Sequence, residues 1–212
     1  MQELLRTRLD LTSTGPASVT TVAGVDVAYD TDSDLVAGAV VVLDASSHHI
    51  VASATAVGRA TFPYLPGLLA FRELPTLLAA WNQLPAEVCP DLVVCDGYGL
   101  AHPRRFGLAC HVGVLTGRPT FGVAKTSFVG IAEPPAPARG SGSPLLLDGD
   151  VVGRALRTRD GVREVYVSVG HRIGLDQACD HVLALTPRFR LPETTRAADQ
   201  ECRRTLRAAR LH

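Results

Sequence analysis

The chain has 212 residues, 46% of them apolar, with 21 basic side chains balanced by 21 acidic ones, which is enough apolar sequence for a single domain (1–212) with a sizeable core. The longest apolar run, roughly Leu35–Leu43, is far short of a membrane span, and the charged opening MQELLRTRLDL lacks a signal-peptide core, so a cytoplasmic protein without membrane attachment is expected. Five scattered cysteines without a C-x-x-C pair argue against a disulfide framework or a zinc knuckle.

Three β-rich segments come first: residues 19–29 (VTTVAGVDVAY), 35–43 (LVAGAVVVL) and 49–57 (HIVASATAV). The turns between them, DTDSD and DASSH, are short, so the segments are expected to pair as an antiparallel meander. A helix follows with Pro75 in its first turn (PTLLAAWNQL), then a buried strand over 91–96, a helix over about 104–116 and a short strand over 119–124. Alternation of strand and helix after a meander predicts an α/β fold, a mixed central sheet with parallel members and helices on its faces. The Pro/Gly/Ser-rich segment 132–144 reads as a flexible loop. Beyond it lie two strands, LLLDGDVVGRAL with a D-G turn and EVYVSVG, a helix near 175–185 and an Arg-rich C-terminal helix.

Three acids stand out. Asp26 interrupts an apolar strand, where an ionised carboxylate is costly without a cation or donors. Asp96 ends DLVVCD at the carboxyl end of a strand, the usual place for a site in an open α/β sheet, and Gly97 and Gly99 follow it. Glu73 closes PYLPGLLAFRE, in which Pro63 and Pro66 stiffen the chain on both sides of Tyr64 and Leu65. Taken singly, a strand-end Asp is more often a turn residue, and Glu73 beside Arg72 reads as a surface pair. Together, the three would suit a hard divalent ion.

The segment 96–126 (DGYGLAHPRRFGLACHVGVLTGRPTFGVAKT) adds His102, Arg104, Arg105, His111 and Lys125 among glycines. Lys125 can reach back to an anionic centre, whereas His111 reads equally well as a structural histidine. Gly117 and Gly122 have phosphate-loop spacing, but Lys125 and Thr126 come two residues late, and GYGLAH lacks the third glycine of a dinucleotide fingerprint. The first 58 residues carry two arginines against seven acids, and residues 154–212 carry twelve against seven. A neutral protein with one basic end can still grip phosphates, with binding that weakens as salt rises.

VAGVDVAYD, PYLPGLLAFRE, the 96–126 block, and GHRIGLDQACDHVL followed by RLPETTRAAD together resemble the signature blocks of the endonuclease V family, in order and over nearly the whole chain. The resemblance implies an RNase H-like fold and Mg²⁺-dependent hydrolysis of the second phosphodiester bond 3′ to deoxyinosine (hypoxanthine from deaminated adenine), leaving 3′-hydroxyl and 5′-phosphate ends. Mn²⁺ is the expected substitute for Mg²⁺. The family's metal-binding acids fall on Asp26, Glu73 and Asp96, its lysine on Lys125, a further histidine on His102 and a fourth catalytic position on Asp199, for which His171 competes. Tyr64, with Pro63, Leu65 and Pro66, would be a wedge that fills the gap left by the damaged base, and backbone around Gly67, Leu69 and Gly97 would line the base pocket. A monomer acting on deoxyinosine-containing DNA, with inosine-containing RNA as a further partner, is the expectation. The alternatives are an RNase H-like nuclease for branched or junction DNA, which needs no wedge, and a non-catalytic nucleic-acid binder.

Overall fold

The computed structural model describes residues 2–63, 65 and 67–211. Strands β1 (Thr21–Tyr29), β2 (Leu35–Asp44) and β3 (Ile50–Arg59) pair as the expected antiparallel meander. Strands β4 (Leu92–Asp96) and β5 (Thr120–Ala124) then join β1 in parallel. Strands β6 (Gly142–Leu147), β7 (Asp150–Leu156) and β8 (Val165–His171) return antiparallel on the other side of β5, giving one eight-stranded sheet in the order β3-β2-β1-β4-β5-β8-β7-β6. The mixed sheet predicted from the alternation of elements is therefore present.

Helices cover both faces, which is why the central strands read as nearly continuous apolar runs. On one face α2 (Ala70–Trp81) and α3 (Leu108–Thr116) set Leu74, Leu77 and Val112 against Ala23, Val25, Val93 and Cys95. On the other, α4 (Leu175–Ala184) packs Ala178 and Val182 against Val22, Leu92, Val94 and Phe121. Beside it α5 (Glu193–Ala209) packs Cys202 and Leu206 against Ala28, Ala37 and Ala39. The two-residue alternation of β1 sorts Ala23 and Val25 from Val22 and Ala28, one pair to each face. A short α1 (Gln2–Arg6) lies against α3.

Two helix starts differ from expectation. Pro75 is not in the first turn of α2: the helix starts at Ala70, and Pro75 lies inside it. Its missing N–H leaves the Phe71 carbonyl without the usual i+4 donor. The earlier start places Glu73 in the first turn. Similarly, α3 starts at Leu108 and not near Arg104, because Arg105 takes a positive φ of 53° and Gly107 is extended. The segment 132–144, expected to be a flexible loop, contacts the rest of the protein through side chains. The Arg157 guanidinium donates to the Pro135 and Ala136 carbonyls, Arg139 donates to the Leu183 and Thr186 carbonyls, and the last three residues belong to β6. No helix among the described residues is long and apolar enough to cross a membrane.

Candidate active site

The parallel strands β1, β4 and β5 run in one direction, so their carboxyl ends share an edge of the sheet, and the candidate residues gather there. Asp96 is the last residue of β4, and Lys125 follows β5 directly, with its Nζ 3.7 Å from Asp96 Oδ2. Asp26 lies on β1 with its side chain on the α5 side, as its period of two with Gly24 and Ala28 requires. Its Oδ1 accepts a 2.7 Å hydrogen bond from the Val27 N–H. Glu73 arrives from α2 on the opposite face, and its Oε1 accepts the Tyr29 hydroxyl at 3.2 Å.

The fifth residue is brought in by close backbone contact. A Cβ on Gly24 would sit 2.2 Å from the Thr194 carbonyl oxygen, so only glycine lets the start of α5 lie this close to β1. That approach carries Asp199, two turns along α5, into a small cavity of about 140 Å³ that it shares with Asp96, Lys125 and Arg196. Asp199 also accepts a 2.7 Å bond from Arg203 Nε.

The acids repel one another. Burial first, and then the charge of Asp96, pushes the Asp26 carboxyl up to about 8, with smaller contributions from Asp199 and Glu73 and only the Val27 N–H opposing. Burial pushes Glu73 up to about 7, with Asp96 adding to it and Tyr29 and Arg72 pulling the other way. Asp96 is raised as well, by burial, with Lys125 opposing. No group of three or more His, Cys, Asp or Glu among the described residues is drawn together tightly enough to cage a metal as it stands. The donor chemistry nevertheless fits a hard divalent ion: carboxylate oxygens on three elements, partly buried and in mutual repulsion that such an ion would relieve.

A second, larger cavity of about 400 Å³ opens directly onto this cluster, with Glu73, Asp96 and Lys125 in its wall. Gly67, Leu69, Gly97 and His102 line it, as expected, together with Tyr98, Leu108 and Phe128. The loop after β4 reaches the cavity because Gly122 on β5 has no side chain; a Cβ there would lie 2.4 Å from the Gly97 carbonyl oxygen. Burial lowers the pKa of His102, and a hydrogen bond with the Gly67 backbone opposes this. Pro63 and Leu65 are exposed, while Tyr64 and Pro66 lie outside the described residues.

The two remaining histidines lie elsewhere. His111 is fully buried between Phe106 and Phe71, with ring centroids 4.5 Å and 5.3 Å away, and burial lowers it to about 4. His171 ends β8, and its Nδ1 accepts the Asp10 N–H at 3.1 Å. Of the two competitors for the fourth position, Asp199 is the one beside Asp96.

Sequence reasoning missed four side chains. Arg72 is no surface partner of Glu73: it donates to the Phe62 carbonyl at 3.0 Å and lies 5.0 Å over the Tyr29 ring, so it ties Phe62, the residue before Pro63, to α2. Tyr29 orients Glu73 from the end of β1. Tyr98 and Phe128 form an aromatic wall, with ring centroids 5.4 Å apart. An aromatic residue three positions after Lys125 was the one signal in the sequence for that wall.

The endonuclease V family model matches residues 3–200. The Streptomyces coelicolor endonuclease V is 63% identical over 210 residues, covering 99% of this chain and 89% of the relative. The crystal structure of the Streptomyces avermitilis endonuclease V superposes with a TM-score of 0.94 at 61% identity, covering 98% of this chain and 91% of that one. Ciona intestinalis endonuclease V, solved in complex with a 24mer DNA containing an inosine followed by a ribo-adenosine, superposes with a TM-score of 0.86 at 27% identity, covering 98% and 95%.

Proposed function

The chain belongs to the endonuclease V family, and from that premise we propose that it is a Mg²⁺-dependent endonuclease that hydrolyses the second phosphodiester bond 3′ to deoxyinosine in DNA. The observation that carries this reading is the junction of two spaces at Asp96 and Lys125. A cavity of about 400 Å³ with an aromatic wall opens onto a carboxylate cluster with more negative charge than its neighbours neutralise. A base that leaves the stack can be held in the first while its own strand passes the second.

In this reading Tyr64, with Pro63, Leu65 and Pro66, fills the gap in the stack, and the Arg72 bond to Phe62 fixes the segment's base on α2. Gly67, Leu69 and Gly97 offer backbone groups, and His102 a ring, to the extruded hypoxanthine. Asp26, Asp96 and Glu73 hold Mg²⁺, or Mn²⁺ in its place, with Asp199 completing the set. The chemistry supplied by such an ion is Lewis-acid polarisation of a phosphate oxygen and acidification of a water. Lys125 supplies a fixed positive charge beside the scissile phosphate, and Tyr29 keeps Glu73 turned inward as a carboxylate. Cleavage leaves 3′-hydroxyl and 5′-phosphate ends. One chain supplies the whole set, so the protein acts as a monomer, and its five free cysteines suit a reducing cytoplasm.

A second substrate is favoured by the Ciona intestinalis relative, whose bound DNA has a ribo-adenosine immediately after the inosine. Inosine-containing RNA is therefore included. The deciding experiment is cleavage of matched DNA and RNA oligonucleotides with one inosine, beside undamaged controls, with Mg²⁺ or EDTA, by the wild type and Asp96→Ala. A metal-dependent nick at the second bond, absent in the variant, is expected. No nick by folded wild-type protein with Mg²⁺ would reject the reading.

A further inference from the structure

A third space on this protein has no role in the reaction above. It is a groove of about 440 Å³ between β1 and α5, with Arg203, Arg207, Arg210 and Tyr29 around an apolar floor of Ala28 and Leu206. The arginines stand at i, i+4 and i+7, which places them on one face of α5 over about 10 Å of helix. Among the described residues, no acidic side chain lines the groove itself.

Two residues of this groove touch the catalytic cluster. Arg203 Nε holds Asp199 at 2.7 Å, and the Tyr29 hydroxyl holds Glu73 at 3.2 Å. The far end is anchored by Arg210, which pairs with Asp30 and lies 3.9 Å from Asp32. Arg207 sits between these two anchored arginines, is exposed and, among the described residues, has no ion-pair partner, so it is the guanidinium most open to an outside anion. The base cavity and the small cavity at α5 have Asp96 and Lys125 as their common wall, so α5 lies across the cluster from the base.

Resting on the nuclease reading, we propose that this arginine face of α5 is the track for the strand downstream of the cut, the one that leaves with the 5′-phosphate. With the base in its cavity and the scissile bond at the acids, the chain running on in the 3′ direction meets α5. Laid along the duplex axis, about 10 Å of helix matches the rise of about three nucleotides of one strand, about 3.4 Å each. Arginine is suited to such contacts because its fork meets phosphate oxygens in pairs. The apolar floor would carry sugar rings, and no base is read there, so the track is indifferent to sequence.

The test compares wild type, Arg207→Gln, Arg207→Lys and, as a control from another face of α5, Arg204→Gln, on two inosine oligonucleotides. One extends ten nucleotides past the cut and the other two. Expected for Arg207→Gln is a several-fold loss of kcat/KM on the long substrate, little loss on the short one, a salt slope reduced by about one, and partial recovery with Arg207→Lys, which keeps the charge but not the fork. Equal losses on both substrates, a loss that follows the 5′ arm instead, or no loss would overturn the proposal; in the last case the groove is left to an acidic protein partner. If the wild type cuts neither substrate, the nuclease reading has failed, and the track is then judged by fluorescence anisotropy of the same oligonucleotides in EDTA. Weaker binding by Arg207→Gln of the long one alone supports it, and unchanged binding sinks it.

Discussion

Tyr29 shows how one side chain can tune a carboxylate of the proposed metal site. Its hydroxyl bond to Glu73 favours the carboxylate form, whereas burial and Asp96 favour the protonated form. Removing the bond in Tyr29→Phe therefore leaves Glu73 protonated to a higher pH and, if the proposed metal site is right, should weaken binding of Mg²⁺ there. Partners of this kind are typically worth about 10- to 100-fold in metal affinity. The expected outcome is an acid limb of the pH–rate profile moved to higher pH at limiting Mg²⁺, and recovery when Mg²⁺ is raised. A profile that neither moves nor responds to Mg²⁺ would assign Tyr29 to packing alone. Arg72 acts on the other neighbour: Arg72→Ala frees the Phe62 carbonyl and should lower the preference for inosine over undamaged DNA, measured as a ratio of kcat/KM values. An unchanged ratio would mean that the Pro63–Pro66 segment is held without it.

Elements set how much of this was legible in the sequence. The strands were clear because β1, β2 and β4 are buried on both faces and their apolar runs are bounded by polar turns. The acids were readable for the same reason: Asp26 and Asp96 break those runs. Helix starts were not, since Pro75 is at home in a first turn by local rules and only the packing of Leu74 and Leu77 onto the sheet carries the helix back to Ala70. Arg72, Tyr98 and Phe128 escaped because their roles depend on partners far away in sequence or on a loop's path. Gly24 escaped too, although α5 depends on it. Gly24→Ala would force the Thr194 backbone away from β1, and overpacking of this kind costs about 1–3 kcal/mol. A lower Tm and a loss of cleavage beyond that explained by the unfolded fraction are expected, because Asp199 moves with the helix. Wild-type Tm and activity in this variant would show that α5 can shift without consequence.

For the molecule as a whole, the site is a stability cost that metal should relieve, and the pH dependence exposes it. Asp26 and Glu73 have folded pKa values of about 8 and about 7, well above their ordinary 3.8 and 4.5, so the folded state binds more protons than the unfolded one in between. Stability from these groups falls as pH rises through that interval. Buried His102, His111 and His171 and half-buried His181 work in the opposite sense, since desolvation lowers each below its ordinary 6.5 and the unfolded state takes up their protons first. Their contribution grows with pH up to about 6.5 and then levels off, which leaves the acids alone between about 6.5 and 8. In EDTA, Tm should therefore fall across that window. Asp26→Asn, which cannot ionise, should flatten the fall and raise Tm at pH 8 even as it abolishes cleavage. Saturating Mg²⁺ should lift the wild type most at the alkaline end, by the linkage that rewards any ligand of the folded state alone, and should lift Asp26→Asn far less. A metal-free Tm that climbs from pH 6.5 to 8, or an equal Mg²⁺ response in both proteins, would mean that the carboxylates are not strained against one another and that the ion is held elsewhere.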